Sequence, residues 1–142
     1  MTDGSVRSVE ITRLGLGQYE AVNPRGGTLR FGAGDGGGDE FTPVELLLTA
    51  IAGCTAADVD YITVKRAEPT TFEVHASGTK VRDGTGNRME DIVVRLEVRF
   101  PDGEEGDAAR AVLPSAVQRS HDRLCTVSRT VERETPVAVE VV

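Results

Sequence analysis

The residues of this chain best suited to do chemistry are its two cysteines, Cys54 and Cys125. A thiolate is the nucleophile that peroxides oxidise, so a thiol pair can in principle be cycled between reduced and disulfide forms. The two cysteines stand in contrasting settings. Cys54 lies deep inside an apolar stretch, Val44-Glu-Leu-Leu-Leu-Thr-Ala-Ile-Ala-Gly-Cys-Thr-Ala-Ala, whereas Cys125 follows a charged run, Arg119-Ser-His-Asp-Arg-Leu-Cys. A buried thiol plus a thiol in an electropositive segment is the pattern of a peroxide-attacking cysteine and its resolving partner. It is equally the pattern of two unrelated cysteines. The pair is separated by 71 positions, so only tertiary folding can join it.

The other candidate groups are sparser. His121 and Cys125 are four apart, which places them on one face if a helix continues through both. With Arg119, Arg123 and Arg129 nearby, His121 could lower the Cys125 pKa. The plainer reading is that these cations complement the negative end of a helix. His75 stands alone on a strand. A closed zinc site wants four ligands, and the two cysteines and two histidines show no paired spacing, so no metal is expected. Gly32-Ala-Gly-Asp-Gly-Gly formally matches G-x-G-x-x-G after a strand. Asp35, Asp39 and Glu40 would repel a pyrophosphate, however, and the next helix begins only at Pro43. A surface loop is expected there, and no cofactor.

The elements that must position the cysteines can be read from pattern. Val9 to Ala21 reads as a strand pair broken at Gly15 and Gly17, Asn23-Pro-Arg-Gly-Gly as a turn, and Thr28 to Phe31 as a short strand. Phe41-Thr-Pro-Val-Glu-Leu then predicts a helix start. Thr42 is the N-cap, Pro43 takes the first helical position, and Glu45 completes a capping box, with Phe41 against Leu46 as a hydrophobic staple. This helix should run to Lys65 or Arg66. It is apolar around nearly its whole circumference from Val44 to Val59, which predicts a central, buried position. Ala50, Ala52, Gly53, Ala56 and Ala57 are small enough to admit a second helix closely.

Two strands follow, Thr71 to Val81 and Met89 to Phe100, joined by a turn at Asp83-Gly-Thr-Gly-Asn. In the second, Ile92, Val94, Leu96, Val98 and Phe100 alternate with charged positions. Asp107 to Leu124 is a second helical region, expected to restart at Pro114. Val137 to Val142 is expected to close the chain as a strand. The order of strands, helix, strands, helix, strand predicts an α+β fold in a single domain spanning 1–142.

Composition narrows the partners. A chain of 142 residues buries roughly 68–70% of its unfolded surface, enough for a core without disulfide staples. The net charge of −7, from 16 basic and 23 acidic residues, argues against nucleic acid, and no tryptophan is present for base stacking. The N-terminus lacks the apolar core of a signal peptide, and no apolar run is read as reaching spanning length. A cytoplasmic protein with no membrane partner is expected, in a compartment that keeps thiols reduced.

The segment Phe41-Thr-Pro-Val-Glu-Leu-Leu-Leu-Thr-Ala-Ile-Ala-Gly-Cys-Thr resembles the central helix of the OsmC / organic hydroperoxide resistance family. Leu124-Cys-Thr-Val-Ser-Arg-Thr resembles its second cysteine motif. The resemblance covers nearly the whole chain. It implies an OsmC-like fold, with antiparallel sheets around a long central buried helix, in an intertwined homodimer with active sites at the subunit interface. It also implies a thiol peroxidase acting on organic hydroperoxides. Cys54 would form the sulfenic acid, Cys125 would condense with it to a disulfide, and an external dithiol would reduce that disulfide. The family places a glutamate ten residues before the first cysteine, orienting an arginine over the thiolate. Here that position is Val44. Glu45, the neighbouring carboxylate, lies about 180° from Cys54 on a straight helix, at 100° per residue. The arginine is matched by Arg30 in one branch of the family and by Arg25 in another. Two rival readings stay open: a non-catalytic dimeric binder of a small hydrophobic ligand, and a redox-sensing thiol protein without fast turnover.

Overall fold

The computed structural model describes residues 2–34 and 38–142, and the chain divides into two compact units, Met1–Leu47 and Leu48–Val142. Asp35, Gly36 and Gly37, the centre of the glycine-rich loop, lie outside the described residues.

The first unit is an antiparallel meander of β1 (Glu10–Gly15), β2 (Gln18–Val22) and β3 (Thr28–Gly32). The break between β1 and β2 falls where the glycines stand, with Gly17 at φ 69°. Asn23 closes the next turn, its Oδ1 accepting from the backbone N–H of Arg25 at 3.0 Å and of Gly27 at 2.9 Å. Tyr19 and Phe31 are cross-strand partners whose rings stack with centroids 5.4 Å apart.

Helix α1 (Pro43–Thr63) starts as its capping box predicts. The Thr42 N–H donates to Glu45 Oε1 at 2.9 Å, and the Glu45 N–H donates to Thr42 Oγ1 at 3.2 Å. The helix ends two residues early, at Thr63, in a turn before Pro69. Its burial differs from expectation. Only Ile51, Thr55, Val59 and Thr63 are buried, a single i,i+4 stripe. Ala50, Gly53, Ala57, Tyr61 and Val64 are exposed along another face. At 21 residues α1 is also long and apolar enough to cross a membrane, which corrects the reading that no run reaches spanning length. Asp58 and Asp60 lie on that helix, and its burial is confined to the one stripe.

The second unit pairs β4 (Thr71–Asp83) with β5 (Gly86–Arg99) in a long hairpin. Both strands extend beyond their expected ends because Asp83 organises the tight turn. Its Oδ1 accepts from the Thr85 N–H at 2.8 Å and its Oδ2 from Arg88 at 2.7 Å. These bonds lower the Asp83 pKa to about 2, the Thr85 hydroxyl bond contributing most. The expected alternation of β5 holds, and Phe100, one residue past its end, is buried and clusters with Ala67 and Ala109.

Helix α2 (Glu104–Arg119) runs unbroken through Pro114, where a restart was expected. Ala109 before the proline and Ala116 after it are both fully buried, so packing holds the two halves in line despite the missing N–H. Its first turn passes so close to the preceding loop that a Cβ on Gly106 would lie 1.7 Å from the Pro101 carbonyl oxygen. The chain then makes one wide π turn, Ser120–Leu124, closed by the Cys125 N–H donating to the Ser120 carbonyl at 2.8 Å, and enters α3 (Thr126–Glu132). The expected C-terminal strand is absent. Val137, Val139 and Val141 alternate as a strand would, but the segment pairs with no described strand and these valines are exposed. Alternation alone does not make a strand without an edge to join.

Candidate functional site

Cys54 sits on α1 one residue before the buried Thr55, and Cys125 is the N-cap of α3. The fold brings them together: Cys54 Sγ, Cys125 Sγ and a carboxylate oxygen of Asp58 all lie within 4.8 Å of one another. Both cysteines are free. Their burial reverses the sequence expectation. Cys125 is fully buried, whereas Cys54 is only half-buried. The reason lies in the π turn, which carries Cys125 out of the charged run and against α1.

The same turn disposes of the proposed His121–Cys125 face. Cys125 has φ −71° and ψ 97°, an extended conformation outside the helix, so the four-residue spacing no longer aligns the two side chains. His121 instead meets Asp122 through Nδ1 at 3.0 Å and Glu132 through Nε2 at 3.2 Å. The Asp122 bond, followed by the Glu132 charge, raises its pKa. Arg129 donates to the Asp122 carbonyl.

Hydrogen-bonding partners surround the Cys125 sulfur, two of them donors and the third, Ser128 Oγ, accepting from the thiol. The Ser128 N–H approaches it at 3.5 Å, the Thr55 hydroxyl at 3.8 Å, and Ser128 Oγ lies 3.1 Å away. Cys125-Thr-Val-Ser128 therefore works as a local cap in which sulfur takes the acceptor's place. The two thiols diverge in acidity. Burial pushes the Cys125 pKa up, but the hydroxyl and N–H of Ser128, then the Cys54 thiol and Thr55, together hold it below the ordinary cysteine value. For Cys54, burial raises the pKa. The Val127 N–H offsets part of that rise, while Cys125 and the Asp58 charge add to it. Of the two, Cys125 is the thiol that loses its proton more readily and Cys54 the one that keeps it. Ser128, not the arginine run, supplies the largest lowering effect on Cys125.

Asp58 is held in turn by Ser120, whose hydroxyl donates to Oδ2 at 2.9 Å. Sequence reasoning missed Asp58, Ser120, Thr55 and Ser128. Two signals were available: Asp58 follows Cys54 by four residues, one helical turn, and Ser128 follows Cys125 by three, the spacing of a cap.

The remaining candidates lie in the first unit. Arg30 pairs through Nε with Glu20 Oε2 at 3.4 Å, and Arg25 is exposed in the Asn23 turn. Glu45 takes part in the helix cap, and Val44 is half-buried beside it.

A cavity of about 420 Å³ opens in the second unit. Ile51, Met89, Ile92 and Val131 give it apolar walls, and Thr55 and Ser128, the hydrogen-bonding partners of Cys125, are also part of its lining. It is large enough for a small apolar molecule.

Comparison with known proteins gives concordant results. The family model described as "OsmC-like protein" matches residues 36–140. Uncharacterised proteins of Mycobacterium tuberculosis and Mycobacterium bovis are 29% identical over 133 residues, covering 93% of each chain. Among solved structures, an OsmC-like protein of unknown function from Vibrio cholerae aligns with TM-score 0.73 and 15% identity, covering 91% of this chain and 95% of that one. An organic hydroperoxide resistance protein from Elizabethkingia anophelis aligns with TM-score 0.58 and 14% identity, covering 92% and 91%.

Proposed function

The chain belongs to the OsmC-like protein family, and from that premise we propose that it is a thiol-dependent peroxidase that reduces organic hydroperoxides. Structural neighbours named organic hydroperoxide resistance proteins support a peroxide-related redox role. The observation that carries the proposal is the approach of the two free sulfurs to within 4.8 Å.

Accessibility supports the roles this reading gives the two cysteines. Cys54 is half-buried, whereas Cys125 is fully buried. The Cys54 thiolate attacks the distal peroxide oxygen, the O–O bond breaks, and the leaving alkoxide takes a proton to become an alcohol. Cys54 is then a sulfenic acid. Cys125, already the more acidic thiol, attacks the Cys54 sulfur, displaces hydroxide that leaves as water, and closes the disulfide. An external dithiol returns both cysteines to thiols by exchange and is itself oxidised. The alkyl group of the peroxide occupies the apolar cavity beside Thr55 and Ser128.

The raised Cys54 pKa is the step that needs help. A guanidinium over Cys54 offsets part of that rise in this reading, with Arg30 the first candidate and Arg25 the second, and with Glu45 the nearest carboxylate in sequence to the family's glutamate position. The working protein is a cytoplasmic homodimer with one OsmC-like domain, 1–142, per chain. The exposed small-residue face of α1 is the contact surface. Steady-state consumption of cumene hydroperoxide with a dithiol reductant tests the proposal: wild type turns over, and Cys54→Ser does not. Wild-type turnover retained in Cys54→Ser overturns it. The cavity favours one rival, a non-catalytic binder of a hydrophobic ligand, which would take up such a ligand without any thiol oxidation.

A further inference from the structure

We propose that the reduced protein holds a thiophilic divalent metal ion, with Zn²⁺ as its type, through Cys54 Sγ, Cys125 Sγ and a carboxylate oxygen of Asp58. The inference rests on geometry and does not depend on the peroxidase reading. The three atoms lie within 4.8 Å of one another. Zinc binds sulfur at about 2.3 Å and carboxylate oxygen at about 2.0–2.2 Å, so ligand atoms around one ion stand roughly 3.5–3.8 Å apart. Side-chain adjustments of about 1 Å or less would bring the three to that spacing.

The elements suit such a centre. Cys54 and Asp58 are one helical turn apart, so α1 presents two ligands side by side, and Cys125 approaches from the start of α3. The carboxylate is already oriented: Ser120, fully buried, donates to Asp58 Oδ2 at 2.9 Å. Outer hydrogen bonds of this kind fix metal ligands in place. Ser128 and Thr55 hold the Cys125 sulfur in the same way. Two thiolate ligands select a thiophilic ion over magnesium or calcium. Three protein ligands with Cys54 only half-buried leave a fourth position for water, the pattern of an open site. A cysteine-and-histidine count could not find this centre, because its third ligand is an aspartate.

Binding replaces the two thiol protons by the metal, so up to two protons leave for each ion bound. Metal occupancy and the disulfide are mutually exclusive, since each uses both sulfurs.

The test uses full-length protein, reduced, stripped with a chelator and desalted, then titrated with Zn²⁺ against a chromophoric chelator. The expected result is one zinc per chain with accompanying proton release, and none for the disulfide form. Asp58→Asn should weaken binding at least about tenfold, and Ser120→Ala, which keeps all three ligands, by roughly tenfold. Circular dichroism checks that each variant is folded. No zinc uptake by reduced wild type overturns the proposal. Equal uptake by the disulfide form, or undiminished affinity in a folded Asp58→Asn, overturns it as well.

Discussion

The sulfurs of Cys54, midway along α1, and Cys125, at the start of α3, lie within 4.8 Å of one another although 71 residues separate them in the chain. A disulfide needs about 2.05 Å between sulfurs, so closure requires less than about 3 Å of movement, which side-chain rotation supplies. Their environments differ in a way that divides the labour. The half-buried sulfur of Cys54 holds its proton more tightly than the fully buried sulfur of Cys125.

That division predicts distinct fates for the single variants. Cys125→Ser should consume one equivalent of hydroperoxide and stop with Cys54 as a sulfenic acid, trapped by dimedone and seen by mass spectrometry. Cys54→Ser should give no adduct. A dimedone adduct on Cys125 in the Cys54→Ser protein would reverse the assigned roles.

The pH dependence follows from the direction of each shift. The Cys125 pKa is lowered, so this thiolate forms at lower pH than an ordinary cysteine. The Cys54 pKa is raised, so the single-turnover rate with peroxide should keep rising with pH past the ordinary thiol range. Stopped-flow measurements with a chelator present check this. Ser128→Ala should move the first thiolate, followed by its ultraviolet absorbance, to higher pH. A rate that is flat from neutrality upward contradicts the account.

Gly53 lies on the exposed face of α1, and a Cβ built there meets nothing within 4 Å. Gly53→Arg should therefore be tolerated by the single chain, with a helix-propensity gain of up to about 1 kcal/mol. If that face joins two subunits, the substitution should convert a dimer into a monomer. Sedimentation equilibrium at low micromolar concentration reads the difference. A folded wild-type monomer would remove the basis for the dimer.

In the proposed reading, Val44 stands where a glutamate would orient a guanidinium over Cys54. Val44→Glu should lower the apparent Cys54 pKa and raise the peroxidase rate, with Val44→Gln as the size control. One pKa unit corresponds to about 1.4 kcal/mol, within the range of one charge-assisted pair. The Thr42–Glu45 cap is left intact. An unchanged rate would show that the thiolate is stabilised by some other means.

Much of the fold was legible because the signals were local. The capping box at Thr42 and Glu45 marked the start of α1, and the alternation from Ile92 to Phe100 marked β5. Misreadings arose where tertiary packing decides. Pro114 is carried inside α2 by buried alanines on both sides, and the valines from Val137 onward alternate without a partner strand. At the site, the two cysteines were readable as the candidate residues, and the fold places their sulfurs within 4.8 Å. Which sulfur is buried was not readable, because that depends on the π turn at Ser120–Leu124. Asp58 escaped notice because its place beside the sulfurs depends on where α3 begins.

The central claim is that a hydroperoxide joins Cys54 to Cys125. Intact-mass measurement of the reduced protein after one equivalent of cumene hydroperoxide, followed by peptide mapping without reductant, tests it most directly. The account predicts the loss of two hydrogens and a cross-linked peptide pair containing Cys54 and Cys125. An unchanged mass with both thiols still titratable would contradict it.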